Sequence, residues 1–136
     1  MDPIQKIWQE YKTIAVVGAS NNPARPSYRV AKYLQTQGFR IIPVNPALTE
    51  LFGEKAYPDV ISIPGTIEVV DIFRNPDAVP EIVEQAIAKK AKVVWMQPGA
   101  ENLSAAERAA SAGLEVIMGV CMMKEHQNLQ TTEARD

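Results

Sequence analysis

The segment Gly18-Ala19-Ser20-Asn21-Asn22-Pro23 has the residue types that most directly suggest chemistry in this chain. It leaves the apolar run Thr13-Ile14-Ala15-Val16-Val17 and leads towards a helical pattern that begins near Tyr28. A glycine at a strand end lets backbone approach a ligand closely, and the N–H groups that open a helix attract phosphate. The segment is not the G-x-G-x-x-G dinucleotide fingerprint, because Ser20 stands where the second glycine would be and Pro23 where the third would be. No Gly-Lys-Ser/Thr occurs, so the Walker pattern is absent too. The loop points to phosphate without specifying a nucleotide. The plainer alternative is a strand-to-helix turn with a serine near its cap.

The second apolar run narrows the choice. Strands of NAD-binding domains usually end here in an acid that bonds the ribose 2′-hydroxyl. Arg40-Ile41-Ile42-Pro43-Val44 ends instead in Asn45-Pro46. That argues against NAD and leaves a ribose carrying phosphate, as in NADP or coenzyme A. Arg25, Arg29 and Arg40 supply nearby positive charge, although solvated surface positions are common for arginine.

Catalytic side chains are scarce. His126 is the single histidine and sits in a helical pattern beside Glu125. Adjacent residues do not share a helix face, so a surface or capping role is expected rather than general base work. Cys121, the single cysteine, follows the last strand. It reads first as a small buried apolar residue, and second as a thiol at the ligand rim able to exchange with a ligand thiol. Among the acids only Glu101, in a rim loop, invites testing as a ligand contact. One cysteine and one histidine exclude a disulfide framework, a cysteine zinc cluster and a histidine-rich metal site.

These residues hang on alternating elements. Apolar, β-rich runs at 13–18, 40–44, 69–73, 92–96 and 115–118 read as strands, with a short one at 55–57. Strand 1 is apolar without alternation, as a parallel strand buried on both faces must be. Helical patterns occupy 28–37, 79–90 and 104–112, with terminal helices at 4–11 and 122–129. Ser104 followed by Glu107 has capping-box spacing. Strand and helix in alternation predict a single α/β domain, a doubly wound Rossmann-like parallel sheet of five or six strands in the order 3-2-1-4-5, with a possible sixth. Ligands of such sheets bind at the carboxyl ends of the strands, beside strand 1.

The chain has 136 residues, which fits one domain of roughly 50–250 residues. Its 14 Lys and Arg against 16 Asp and Glu give a net charge of −2, which excludes the broad basic footprint of a nucleic-acid binder. No apolar run reaches the roughly 18–20 residues that cross a bilayer, and Met1-Asp2-Pro3-Ile4-Gln5-Lys6 lacks a secretory pattern. No membrane partner and a cytoplasmic location are expected. Met122-Met123, if exposed, would support a homodimer.

Several segments taken in order carry a resemblance. They are Gly18-Ala19-Ser20, Arg25-Pro26-Ser27-Tyr28-Arg29-Val30-Ala31, Val44-Asn45-Pro46 and Gly53-Glu54-Lys55-Ala56-Tyr57. Asp71-Ile72-Phe73-Arg74, Trp95-Met96-Gln97-Pro98-Gly99 and Lys124-Glu125-His126 follow. Together they resemble the small bacterial and archaeal CoA-binding proteins, whose domain is similar to the N-terminal domain of the succinyl-CoA synthetase alpha subunit. The resemblance runs over residues 13–129 and rests on the ordered set, since no single segment is specific.

The resemblance implies coenzyme A, or an acyl-CoA, as ligand. It implies that the Gly18-Ala19-Ser20 backbone and the Ser20 hydroxyl hold the pyrophosphate, with Arg25 and Ser27 adding a charge and a hydroxyl. Val44, Asn45 and Pro46 would line the adenosine end. Ile72, Phe73 and Arg74 would contact adenine or the ribose-phosphate. Gln97, Pro98 and Gly99 would border the pantetheine path. The sequence departs from many relatives at Gly119-Val120, where they carry Asp-Arg before the cysteine, and at Ala47-Leu48-Thr49, which lacks a lysine found in some. The synthetase subunit bears its phosphorylated histidine on a second domain, and this chain ends near where the first would end. A binding or regulatory module without its own catalytic domain is therefore expected. The alternatives are an NADP-dependent oxidoreductase or a fragment of one, and an accessory subunit lending a CoA site to a separate catalytic chain.

Overall fold

The computed structural model describes residues 2–135. Five parallel strands form its sheet: β1 (Thr13–Val17), β2 (Arg40–Val44), β5 (Val69–Ile72), β6 (Val93–Met96) and β7 (Glu115–Met118), side by side in the order β2-β1-β5-β6-β7. Two more, β3 (Glu50–Leu51) and β4 (Glu54–Lys55), make a separate antiparallel hairpin. The helices are α1 (Pro3–Glu10), α2 (Pro26–Thr36), α3 (Val79–Ala88), α4 (Leu103–Ser111) and α5 (Met122–Arg135).

The doubly wound expectation is met, and the strand order follows the expected one. The exception is the outer strand at 55–57, which is reduced to one parallel bridge between Tyr57 and Val44. The cause is local. Phe52 and Gly53 both take positive φ, 54° and 80°, and turn the chain into the β3–β4 hairpin before it can run alongside β2. Phe52 tolerates that conformation while its ring packs edge-on against Tyr28 at 5.0 Å and its carbonyl accepts from Gln35 Nε2 at 3.0 Å.

Side chains alternate across the sheet and build two cores. Val70, Ile72, Val94 and Met96 face one layer with α3 and α4, while Val16, Val69, Val93 and Trp95 face the other with α1, α2 and α5. The long segment between β4 and β5 seals the first layer through buried Val60, Ile63 and Ile67. It is pinned by Gln85 Oε1, which accepts from the backbone of Val60 and Ile61.

One cap differs from expectation. Asn102, not Ser104, caps α4, its side chain accepting from Ala105 N at 3.0 Å. Its amide nitrogen also donates to Pro76 O, so it ties two loops together, which exposed Ser104 is not placed to do.

β1 ends between β2 and β5, and the chain leaves it towards α2 on one face, then returns through α3 on the other. That divergence opens a crevice at the carboxyl rim. Gly18 is the tightest point: its φ is +88°, and a Cβ there would lie 2.3 Å from the Phe73 carbonyl oxygen. Gly18→Ala is expected to cost roughly 2–4 kcal/mol of stability, combining left-handed strain with the clash. A urea unfolding midpoint equal to that of the wild type would contradict this.

Candidate functional site

The loop that leaves β1 is built from its own polar side chains. Gly18 N donates to Val44 O at 3.0 Å, Ser20 Oγ accepts from Asn22 N at 3.0 Å, and Asn22 Oδ1 accepts from Ala24 N at 3.0 Å. Arg29 Nη1 closes the loop onto the Ala24 carbonyl at 2.8 Å. The loop delivers the chain to α2 with Arg25 at the N-cap and Pro26 in the first turn, and no side chain caps this helix end. Pro26 has no N–H and Tyr28 N already donates to Arg25 O at 3.1 Å, so among the described residues Ser27 N is the backbone donor that the first turn leaves for an anion.

Asn45, at the end of β2, is a clamp. Its Nδ2 donates to Ala19 O at 2.7 Å and its Oδ1 accepts from Ala47 N at 2.8 Å. The amide is thus committed to holding the β1 and β2 loops together.

The loops enclose a cleft of about 890 Å³, within the range of small-ligand sites. Gly18, Ala19, Ser20, Arg25 and Ser27 form one wall, and Val44, Asn45 and Pro46 the adjoining one. Phe73 and Arg74 stand opposite, and Gln97, Pro98 and Gly99 line the side below β6. Ile72 is the exception among the residues expected here. It is 0% exposed and packs in the α3–α4 layer, because it is still inside β5 and points through the sheet away from the rim. The wall begins one residue later, at Phe73.

Asn75, Met123 and Lys124 carry no local signal for a ligand wall, and Arg29 reads from sequence only as nearby charge; all four line the cleft. Lys124 lies in a segment singled out for resemblance, yet only the docking of α5 brings it here. That docking rests on Trp95, whose Nε1 donates to Val120 O at 2.8 Å, and on His126. His126 is not a surface residue. It is 7% exposed, meets the Tyr33 hydroxyl through Nδ1 at 2.7 Å, and packs edge-on against Trp8 at 4.9 Å. It is absent from the cleft lining and serves as a core tie between α5, α2 and α1. Met122 is fully buried and Met123 is half-buried on the cleft wall, so neither offers the exposed patch expected for a homodimer.

Cys121 is half-buried on the cleft wall rather than sealed in the core. Glu101 is not a wall residue; its Oε1 accepts from Gly99 N at 2.7 Å and holds that turn. Arg40 is also elsewhere, 3.7 Å from Glu54. Among the described residues no group of three or more His, Cys, Asp or Glu is placed to hold a metal ion, and no helix is long and apolar enough to cross a membrane.

The charge in the cleft is one-sided. Arg25, Arg29, Arg74 and Lys124 line it, and among the described residues no Asp or Glu does. In a chain of net charge −2 this segregation makes the cleft a basic patch, suited electrostatically to an anion. Phe73, Val44 and Pro46 add apolar surface for a flat or alkyl group.

The sequence profile of the CoA-binding domain family matches residues 12–127. The chain belongs to this CoA-binding domain family. Its relatives include YneT of Bacillus subtilis (strain 168), 39% identical over 123 residues that span 90% of this chain and 91% of YneT. A protein of Pyrococcus horikoshii OT3 superposes with a TM-score of 0.91 at 48% identity, over 93% of this chain and 89% of that one. The same domain is found in a larger protein. The dinucleotide-forming acetyl-coenzyme A synthetase 1 of Ca. Korarchaeum cryptofilum matches with a TM-score of 0.70 at 28% identity, over 82% of this chain but only 26% of the synthetase.

Beneath the cleft of this CoA-binding domain lies a buried acid. Asp71 is 0% exposed, its Oδ1 accepts from Gln97 Nε2 at 2.7 Å, and its Oδ2 is buried without a partner among the described residues. Burial pushes its carboxyl up to about 7, partly countered by the Gln97 hydrogen bond. In the unfolded chain an aspartate titrates near ~3.9. The folded protein therefore keeps a proton that the unfolded chain releases, and Asp71 lowers stability progressively as pH rises from about 4 to about 7, levelling off above. The loss is on the order of 4 kcal/mol. Asp71→Asn, which stays neutral, is expected to remove that slope. Unfolding free energies from urea titrations between about pH 4.5 and 8 check this; the same pH dependence in variant and wild type would contradict it.

Proposed function

We propose that this protein binds coenzyme A or an acyl-CoA in the cleft at the carboxyl rim of its sheet, as a binding or regulatory module without catalytic machinery of its own. The observation that carries this is the cleft's charge: Arg25, Arg29, Arg74 and Lys124 with no acid among them, in a domain of the CoA-binding family. Coenzyme A bears a pyrophosphate and a 3′-phosphate, so several cations and the Ser27 N–H at the start of α2 answer its charge.

In this proposal the Gly18–Ser20 backbone, the Ser20 hydroxyl and the start of α2, with Arg25 and Ser27, take the pyrophosphate. Val44 and Pro46 border the adenosine, with Asn45 holding the two loops in place. Phe73 packs against adenine, and Arg74 pairs with phosphate. Gln97, Pro98 and Gly99 flank the pantetheine arm, which runs towards Cys121.

The absence of a catalytic role is supported by two features. His126 is engaged with Tyr33 in the core. The portion shared with the Korarchaeum synthetase is 26% of that protein, which suits a binding part of a larger machine. A CoA site lent to a separate catalytic chain is the form of this proposal that the synthetase relative favours.

Thermal unfolding with CoA, dephospho-CoA, NADP and NAD tests the ligand. CoA is expected to give the largest gain, about 2.7 kcal/mol at 100 times Kd. A shift with NADP and none with CoA would overturn the proposal in favour of an oxidoreductase. Arg74→Ala is expected to weaken CoA about 5- to 10-fold with little change in stability, the loss of one charge-assisted contact at an exposed site. Unchanged affinity would remove Arg74 from the site.

A further inference from the structure

Gln97 is 2% exposed, lines the cleft, and hydrogen-bonds through its side-chain nitrogen to a fully buried aspartate. An ionised carboxylate only accepts hydrogen bonds, so the amide nitrogen must be the end of Gln97 that faces Asp71. The other end, Oε1, makes no hydrogen bond found among the described residues, and Gln97 is a residue of the cleft lining. The two side chains lie on the same sheet face by strand alternation. Val16 and Trp95 flank Asp71 in register on β1 and β6, and Gln97 is two residues beyond Trp95.

We propose that Asp71 is a positioning residue that fixes the Gln97 amide so that the cleft presents a carbonyl acceptor, selecting ligands that offer an N–H donor at this point. The inference deepens the CoA proposal and rests on it for the ligand: the donor is an amide N–H of the pantetheine arm. A neutral Asp71 relaxes the constraint. It can donate to Gln97 Oε1, which turns the NH₂ outward and replaces the acceptor by a donor.

The burial that raises the Asp71 carboxyl to about 7 puts this change in the neutral range. Other titratable groups belong to the same layer or border it: Tyr11 just after α1, Arg29 and Tyr33 on α2, and Cys121, Lys124 and His126 at α5. None of them hydrogen-bonds to Asp71. Asp71 therefore answers to Gln97 and to its own burial.

Two measurements test this. In the ligand-free wild type, the Gln97 side-chain NH₂ resonances are followed by NMR from about pH 5.5 to 8.5, alongside the Asp71 carboxyl carbon. They are expected to titrate together with one midpoint, and Gln97 resonances that ignore the Asp71 titration would overturn the dyad. Separately, CoA affinity is measured across the same range in wild type and in Asp71→Asn, with folding of the variant checked by its spectrum. Asparagine accepts and donates, so it does not select one orientation. The variant is expected to bind CoA about 5- to 10-fold more weakly at the alkaline end, the worth of one hydrogen bond, and to lose the wild type's gain in affinity as Asp71 ionises. Equal affinities and equal pH profiles would overturn the ligand-selecting role. If wild type binds no CoA at all, the proposed function fails, while the resonances still decide whether Asp71 orients Gln97.

Discussion

The rim of this molecule depends on how closely β1 and β5 can end beside each other. Gly18 has no side chain, so the chain leaving β1 passes against the Phe73 carbonyl, where a Cβ would come within 2.3 Å. Because it passes there, Ala19 reaches the Asn45 amide, Ser20 and Asn22 can fold the loop on themselves, and α2 starts with its end towards the crevice. The glycine that would ordinarily be credited with letting a phosphate approach is here used first to let two strands of the protein approach. Room for a ligand is a consequence of that contact, since it fixes where both walls begin.

On this frame the charge is distributed unevenly. Among the described residues the acids of this slightly acidic chain are kept out of the cleft lining, and two that lie close to it hold neighbouring groups. Glu101 holds the Gly99 turn, and Asp71 lies beneath the floor bonded to Gln97. The cations that line the cleft come from α2, from the loop after β5 and from α5, so no one segment makes the site. α5 reaches its place through Trp95, Tyr33 and His126. The single histidine thus holds a helix that lines the cleft and is not itself a wall residue.

Much of this was legible in the sequence because it is written in short patterns. β1 and β6 are runs of buried residues in a parallel sheet, and such runs lack alternation. The rim loops follow from where those runs stop, which is why Gly18, Asn45, Arg74 and Gln97 are expected at the rim, and all four line the cleft. The failures share a physical cause, which is that direction and docking are tertiary. Ile72 and Phe73 are neighbours, but only the end of β5 decides that one points into a core and the next into the cleft. Asn102 and Ser104 are both good caps, and the Pro76 carbonyl favours Asn102. His126 sits in a polar-looking stretch, and nothing local tells that Trp8 and Tyr33 enclose it. Asp71 looks like an ordinary strand residue until both neighbouring strands are in place.

The central claim is that this cleft takes coenzyme A. A titration with CoA followed residue by residue in the backbone amide NMR spectrum tests it most directly. The account predicts saturable shifts concentrated in residues 18–27, 44–46, 73–75, 97–100 and 121–124, the segments that line the cleft. It would be contradicted by the absence of saturable shifts, or by shifts centred on the opposite end of the sheet around Lys6, Lys92 and Glu115, where a second, smaller hollow lies.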